Sequence, residues 1–227
     1  MGAKKLLGPK ERQAPRLDGE LSERSGDELD DEALLEDVAW TGGSPPPATG
    51  VELVRCRLTG VSLTGLELVD WRLVDVVLDE CELSGTQLVN AEWERVVLRR
   101  CRMSGFVAPE LRATDVRVEG CKADQAWLRS AVLDRWEVVD TDLSQSDLAS
   151  TTVTRSAFRR SNLTGVDVSQ SRFDQVSLHA STVDDLKGAD ALRGCTIGSD
   201  QLVPLALPIL AARNIEVDDD PPDLTEP

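Results

Sequence analysis

Few residues in this chain have the types and spacing that chemistry needs. His179 is the sole histidine, and histidine is the commonest proton carrier near neutral pH. Asp184 and Asp185 follow closely, but no nucleophile motif accompanies them, so a surface histidine is expected. Cys81, Cys101 and Cys121 recur every twenty residues, which would place three thiols in one inward line. A straight line of sulfurs is not the tetrahedral cage that zinc requires, and no fourth ligand is evident. Packed free thiols are the expectation. The sequence has no CxxC pair, glycine-rich phosphate loop, HExxH or GxSxG. No catalytic residue, cofactor or metal is therefore expected.

The 227 residues carry 41 Asp+Glu against 25 Lys+Arg, a net charge of -16. That balance disfavours direct nucleic-acid binding, which needs cations to displace counterions from phosphates. The five cysteines and the lack of a signal-like apolar run fit a reduced, cytoplasmic protein. The longest apolar stretch, Leu202 to Leu210, contains Pro204 and Pro208 and is too short to span a bilayer. No membrane association is expected.

The elements that must position any surface site come from a five-residue period. Stepping by five from Leu53 to Val183, every one of 27 positions is apolar. A helix would scatter them around its cylinder, and a flat strand would alternate their faces. The chain must instead turn a corner about once per repeat, winding around its own core as a β-solenoid. A second inward position lies two residues earlier (Val51, Cys56, Val61). The position two residues later, except at Ala180, is polar or glycine, as at Gly60, Gly65 and Gly165, and suits a tight turn in water. Residues twenty apart alternate in charge: Arg55, Asp75, Arg95, Asp115 and Arg135; Glu52, Arg72, Glu92 and Arg112; Asp79, Arg99 and Glu119. Opposite charges would pair if those residues stacked about 4.8 Å apart. The charge pattern thus supports four repeats per coil.

The local runs Ser161-Asn162-Leu163-Thr164-Gly165, Thr141-Asp142-Leu143-Ser144-Gln145 and Ser146-Asp147-Leu148-Ala149-Ser150 resemble the pentapeptide-repeat family. The resemblance covers residues 51–185. It implies an all-β solenoid, a right-handed, four-sided β-helix, here with a short helical C-terminal cap. It says little about activity, because one fold hosts many functions. From Phe106 to Gln125 the large and small inward residues exchange places, which reads as a repacked coil. Trp71 and Trp136 are oversized for their inward slots, and Trp127 should point outward.

Outside the repeat, residues 1–42 read as an acidic segment, disordered before Ser25. Ser25-Gly26-Asp27-Glu28 reads as a capping box opening a short helix to Val38. Residues 43–50 read as a Gly/Pro linker. Residues 186–217 are expected to form a cap of one or two apolar helices, broken near Pro208, with Ser199 as an N-cap. An acidic, disordered tail would follow from 218 to 227.

Two functions are weighed. The first is a non-catalytic protein-interaction module with an unidentified partner. Its best contact side carries Trp127 and Val107, with Val69 and Val89 beside them. The second, by resemblance to quinolone-protecting relatives, is a DNA mimic that binds DNA gyrase. The side through Leu63 has 5 acids and 2 bases, and the adjoining side through Leu68 has 5 and 1. Those two sides supply the candidate surface: Glu67, Asp70, Val107, Glu110, Trp127, Asp147 and Asp167 on one, Glu82, Asp124 and Asp142 on the other. The same resemblance implies a homodimer through the C-terminal cap. An enzyme is not supported.

Overall fold

The fold begins with a local conformation repeated along the chain. The residue two after each inward centre takes a left-handed backbone: Asp70 has φ 57, Glu80 56, Asn90 54 and Gly65 68. Each such residue turns the backbone through a corner, and four corners close one coil. In a computed structural model, which describes residues 12–218, the result is a parallel β-solenoid of about 8 turns. Short strands from successive coils pair in register, residue i beside i+20, as in Leu73 beside Trp93 and Ala113 beside Leu133. Backbone amides at the corners extend the ladder: the Asp70 N–H donates to the Val89 carbonyl at 2.8 Å. Peptide groups that turn away from their own neighbours thus find partners in the adjacent coil, as at Gly120 and Ser150.

The inward rows are dry. Leu53, Leu58, Leu63 and Leu68 are buried, and so are Val51, Cys56 and Val61 two residues earlier. The exchanged volumes of the middle coils fit without a break in register. Phe106 and Leu111 fill the space left by Ala108 and Ala113, and Arg112 still pairs with Glu92. Phe106 packs against Trp93 with ring centroids 6.0 Å apart. Trp71 and Trp136 are buried, and the Trp71 indole donates to the Ala48 carbonyl at 2.7 Å. Among the described residues, the indole N–H groups of Trp93 and Trp136 are buried without a hydrogen-bond partner. The core around these two indoles therefore carries some uncompensated desolvation.

The N-terminal segment departs from expectation. No helix opens at Ser25; the segment forms strands β1 (Ser22–Ser25), β2 (Leu34–Glu36) and β3 (Val38–Thr41). β2 pairs with β4 (Glu52–Val54) and β3 with β5 (Arg57–Thr59), each at an offset of 18 residues rather than twenty. Leu35 and Trp40 stack on Leu53 and Leu58 and are buried. The two-residue shortfall shifts the phase, so stepping back by five from Leu53 misses both. Asp27 does not cap a helix; its carboxylate accepts the Ser44 N–H at 2.5 Å. The Gly/Pro stretch is not a free linker either, since Pro45 and Ala48 are buried and Thr49 bridges to Val69. It forms one side of this first coil.

At the other end the coil outlasts the five-residue frame, because Thr196 still bridges to Ser177. Two single 3-10 turns, Ala189–Leu192 and Ser199–Gln201, lead into α1 (Leu202–Ala212). Gln201 closes the core: its side-chain amide donates to the carbonyls of Leu178 and Ser181, both at 2.6 Å. Ser199 is the first residue of its turn and Gly198 precedes it as the cap. Pro208, where a break was expected, lies inside α1 and does not end it, so the apolar run forms one continuous helix. The expected tail from 218 to 227 lies outside the described residues except for Asp218.

Because Trp40 is a core residue of a real coil, Trp40→Ala is expected to destabilise the protein by about 3–5 kcal/mol. Urea unfolding followed by far-UV circular dichroism measures this. A change within about 0.5 kcal/mol would mean that the segment does not pack.

Candidate interaction surface

On a solenoid, stacking turns distant residues into columns. The side through Leu68 carries the column Glu67, Gln87, Val107, Trp127, Asp147, Asp167 and Lys187, each bridged to the next. Five expected site residues therefore lie in one line: Glu67, Val107, Trp127, Asp147 and Asp167. Trp127 is 46% exposed at its middle. Val69 and Val89 pair along the same side, and Val89 is exposed. Asp70 and Glu110 occupy the corner beyond this column, with Asn90 donating to Asp70 at 3.1 Å. Around the other corner of this side, Glu82 and Asp142 share the column Ser62, Glu82, Arg102, Lys122, Asp142 and Asn162. Asp124 lies in the neighbouring column and accepts from Ser104 at 2.5 Å.

The carboxylates of these two sides are partly neutralised. Asp147 meets Arg129 at 2.7 Å, Glu82 meets Arg102 at 3.4 Å and Asp124 meets Lys122 at 4.0 Å. Asp167 accepts the Ser169 N–H at 2.8 Å, and Asp142 accepts from Asn162 at 3.0 Å. The result is an apolar centre, Val107 and Trp127, in a rim of paired and hydrogen-bonded acids.

The strongest electrostatics lie elsewhere, at the corner where the side through Leu53 meets the side through Leu58. The arginines there reach back one coil. Arg95 forks onto Asp75 with contacts of 2.6 and 2.8 Å, and Arg135 forks onto Asp115 in the same way. Arg55 reaches Asp37 instead of Asp75. The expected alternating ladder is thus a series of separate forked pairs. In the other two series, Arg72 meets Glu52 at 3.0 Å and Arg99 approaches Glu119 at 4.0 Å.

Asp75 and Asp115 accept a further bond that the sequence did not suggest. The backbone N–H of Arg16 donates to Asp75 and that of Gln13 to Asp115, each at 2.9 Å. Residues 12–19 form neither helix nor strand. They run back along this corner toward the first coil, with the Arg12 guanidinium 3.8 Å from Glu137. Burial pulls the Arg12 guanidinium below its ordinary range, against the pull of Glu137. The segment has no apolar period, so its docking left no pattern to find. Its charge was a usable clue: residues 1–16 hold five bases and one acid in a strongly acidic chain.

The residues that might have done chemistry are placed quietly. His179 is exposed, and its Nδ1 lies 2.7 Å from the Ser177 hydroxyl. Cys81, Cys101 and Cys121 are buried in one column, with the Cys101 N–H directed at the Cys121 sulfur. Neighbouring sulfurs and burial push the Cys101 thiol far up, its hydrogen bonds hold Cys81 and Cys121 below the ordinary thiol range, and burial pushes Cys195 up to about 12. Held protonated, Cys101 and Cys195 are poor nucleophiles and metal ligands. Among the described residues no group of three or more His, Cys, Asp or Glu is arranged to hold a metal, and no helix is long and apolar enough to cross a membrane.

A family profile described as pentapeptide repeats matches residues 139–179, in 8 copies. No curated protein matches the chain. Among solved structures, the chain is similar to QnrB1, described as a plasmid-mediated fluoroquinolone resistance protein. Identity is 17%, covering 86% of this chain and 100% of that one, with a TM-score of 0.37. It is also similar to HetL, a pentapeptide repeat protein involved in heterocyst differentiation regulation from the cyanobacterium Nostoc sp. strain PCC 7120. There the identity is 17%, covering 74% and 84%, with a TM-score of 0.35.

The corner pairs predict an acid limit. Burial raises the carboxyl pKa of Asp75 and Asp115, but the forked arginines and the Arg16 and Gln13 amides outweigh it, leaving both below the ordinary 3.8. A carboxyl depressed on folding adds stability that is complete above its unfolded pKa and disappears as pH falls through the folded one. The urea midpoint should therefore stay level from about pH 7 to about pH 5 and fall below about pH 4. The fall should be shallower in Asp75→Asn/Asp115→Asn, as urea titrations at a series of pH values would measure.

Proposed function

We propose that this pentapeptide-repeat chain is a non-catalytic protein-interaction module that engages its partner through the side bearing Trp127. The observation that carries the reading is the half-exposed Trp127 in line with Val107, beside Val69 and Val89, on a flat parallel surface. Contiguous exposed apolar surface rimmed by polar groups marks contact sites, and tryptophan is over-represented among the residues that dominate binding. The rigid ladder beneath holds the patch without a folding cost on association. Glu67, Asp70, Glu110, Asp147 and Asp167 would form its rim, and Glu82, Asp124 and Asp142 the adjoining edge. The buried column of Cys81, Cys101 and Cys121 and the exposed His179 fit a surface that binds without reacting.

The test is capture of partners from cytosol by immobilised wild-type protein and by Trp127→Glu. The captured partner is then titrated against both by calorimetry. A loss of about 2 kcal/mol or more, some thirtyfold in Kd, is expected for the variant. Equal affinity would reject this side as the contact.

DNA mimicry toward gyrase is the second reading, and the carboxylates on two adjoining sides favour it. Against it, Glu82, Asp124 and Asp147 each face a cation within 4.0 Å. A gyrase supercoiling assay is expected to show neither inhibition nor protection from quinolones.

A homodimer through α1 also belongs to this proposal. Only Leu205 of α1 is buried, whereas Val203 is 83% and Leu207 64% exposed. An apolar helix left uncovered favours association with a copy of itself. Light scattering is expected to give a dimer for the wild type and a monomer for Val203→Asp/Leu207→Asp, with circular dichroism unchanged.

A further inference from the structure

We propose that the corner bearing Asp75 and Asp115 is a groove for an extended peptide. Its present occupant is the chain's own segment 12–16, and its partner in trans is an extended, cationic, proline-containing segment of another protein. The groove lies on the side of the coil opposite Trp127, so the inference stands independently of the contact proposed there.

Spacing carries the argument. Asp75 and Asp115 lie two coils apart, about 9.6 Å at ordinary strand spacing. Three residues of extended or polyproline-like chain span about 9–10 Å. The two anchored amides belong to Gln13 and Arg16, three residues apart. A chain of that pitch therefore presents one main-chain donor to every second coil. Arg12 and Pro15, also three apart, are half-buried, whereas Gln13, Ala14 and Arg16 are exposed. One edge of the segment thus faces the groove, as a peptide of threefold period would.

The groove also has a floor. Val77 and Val97 stand at outward positions in the coils over which the segment passes, yet both are buried, Val97 to 2% exposure. Asp115 is itself only 2% exposed. Recognition therefore combines two fixed carboxylate acceptors and an apolar strip, with Glu137, already bonded by Arg117 at 2.6 Å, lying 3.8 Å from the Arg12 guanidinium. Main-chain donors supply affinity and set the pitch; proline and arginine supply the fit. The acceptors make no use of the Gln13 or Ala14 side chains, so a partner needs this spacing of donors and charge rather than this sequence.

The test uses the full chain and an acetylated, fluorescently labelled peptide spanning Arg12–Asp18. In Gln13→Pro/Arg16→Pro both donors are deleted, while an extended backbone remains allowed, so the cis segment should be released. The peptide is expected to bind this variant at least tenfold more tightly than it binds the wild type, where the tethered segment competes. The same peptide carrying both prolines should not bind. In the wild-type chain, hydrogen exchange should show the Gln13 and Arg16 amides protected at least tenfold relative to Ala14. Failure of the peptide to bind a variant whose segment is released by proteolysis would overturn the proposal. So would unprotected Gln13 and Arg16 amides in the wild type, a measurement that needs no variant to fold. Concentration-dependent exchange of the segment between wild-type copies, with the peptide excluded, would reassign the groove to self-association and also overturn it.

Discussion

A left-handed residue at every fifth position is the constraint on which the remainder of the structure depends. That conformation costs a non-glycine residue roughly 1–2 kcal/mol, yet arginine, aspartate, glutamate and glutamine all adopt it here. The cost is met collectively. Stacked corners send their amides to the next coil, as at Asp70, Gly120 and Ser150, and the repeats bury two inward side chains each. No single corner is favourable alone, so the corners exist only as a stack, and the stack is stable because its neighbours are alike.

Stacking also governs the surface. A side chain on this solenoid has its neighbours chosen twenty residues away, which is why arginine and aspartate alternate down the corner columns. The pairs are nevertheless directional: Arg95, Arg135 and Arg160 all reach to the preceding coil. Each fork satisfies one guanidinium and leaves the aspartate able to accept another donor. At Asp75 and Asp115 that donor is a backbone amide from residues 12–16. The same arrangement that steadies the corner thus makes it receptive to extended chain. On the opposite side, where acids pair with cations in their own or a nearby coil, the exposed feature left is the apolar centre at Trp127.

Much of this was legible in the residues. The unbroken apolar row from Leu53 to Val183 dictated a solenoid, because no helix or flat strand can keep every fifth side chain on one face. The outward position of Trp127 followed from the same frame, as did the column that joins it to Glu67, Val107, Asp147 and Asp167. The inward cysteines were readable as packed thiols because their spacing matched the coil. The first coil was not legible: two missing residues put Leu35 and Trp40 out of phase, and an acidic stretch with a serine in front looks like a helix start when phase is lost. At Pro208 the helix was not legible as continuous, because a proline usually ends one, yet α1 runs through it from Leu202 to Ala212.

The sequence by itself determined the period, and through it the solenoid, the core rows and the order of residues along each column. Those are consequences of local turn geometry and of which side chains avoid water, both of which are written at fixed spacing. Only the tertiary structure decided that the first coil closes in eighteen residues, that each arginine turns toward one aspartate and not the other, and that residues 12–16 lie along the corner. Those outcomes depend on distances between groups far apart in the chain. They are set by competition for hydrogen-bond acceptors and for apolar cover, and such a competition has no period to leave in a sequence.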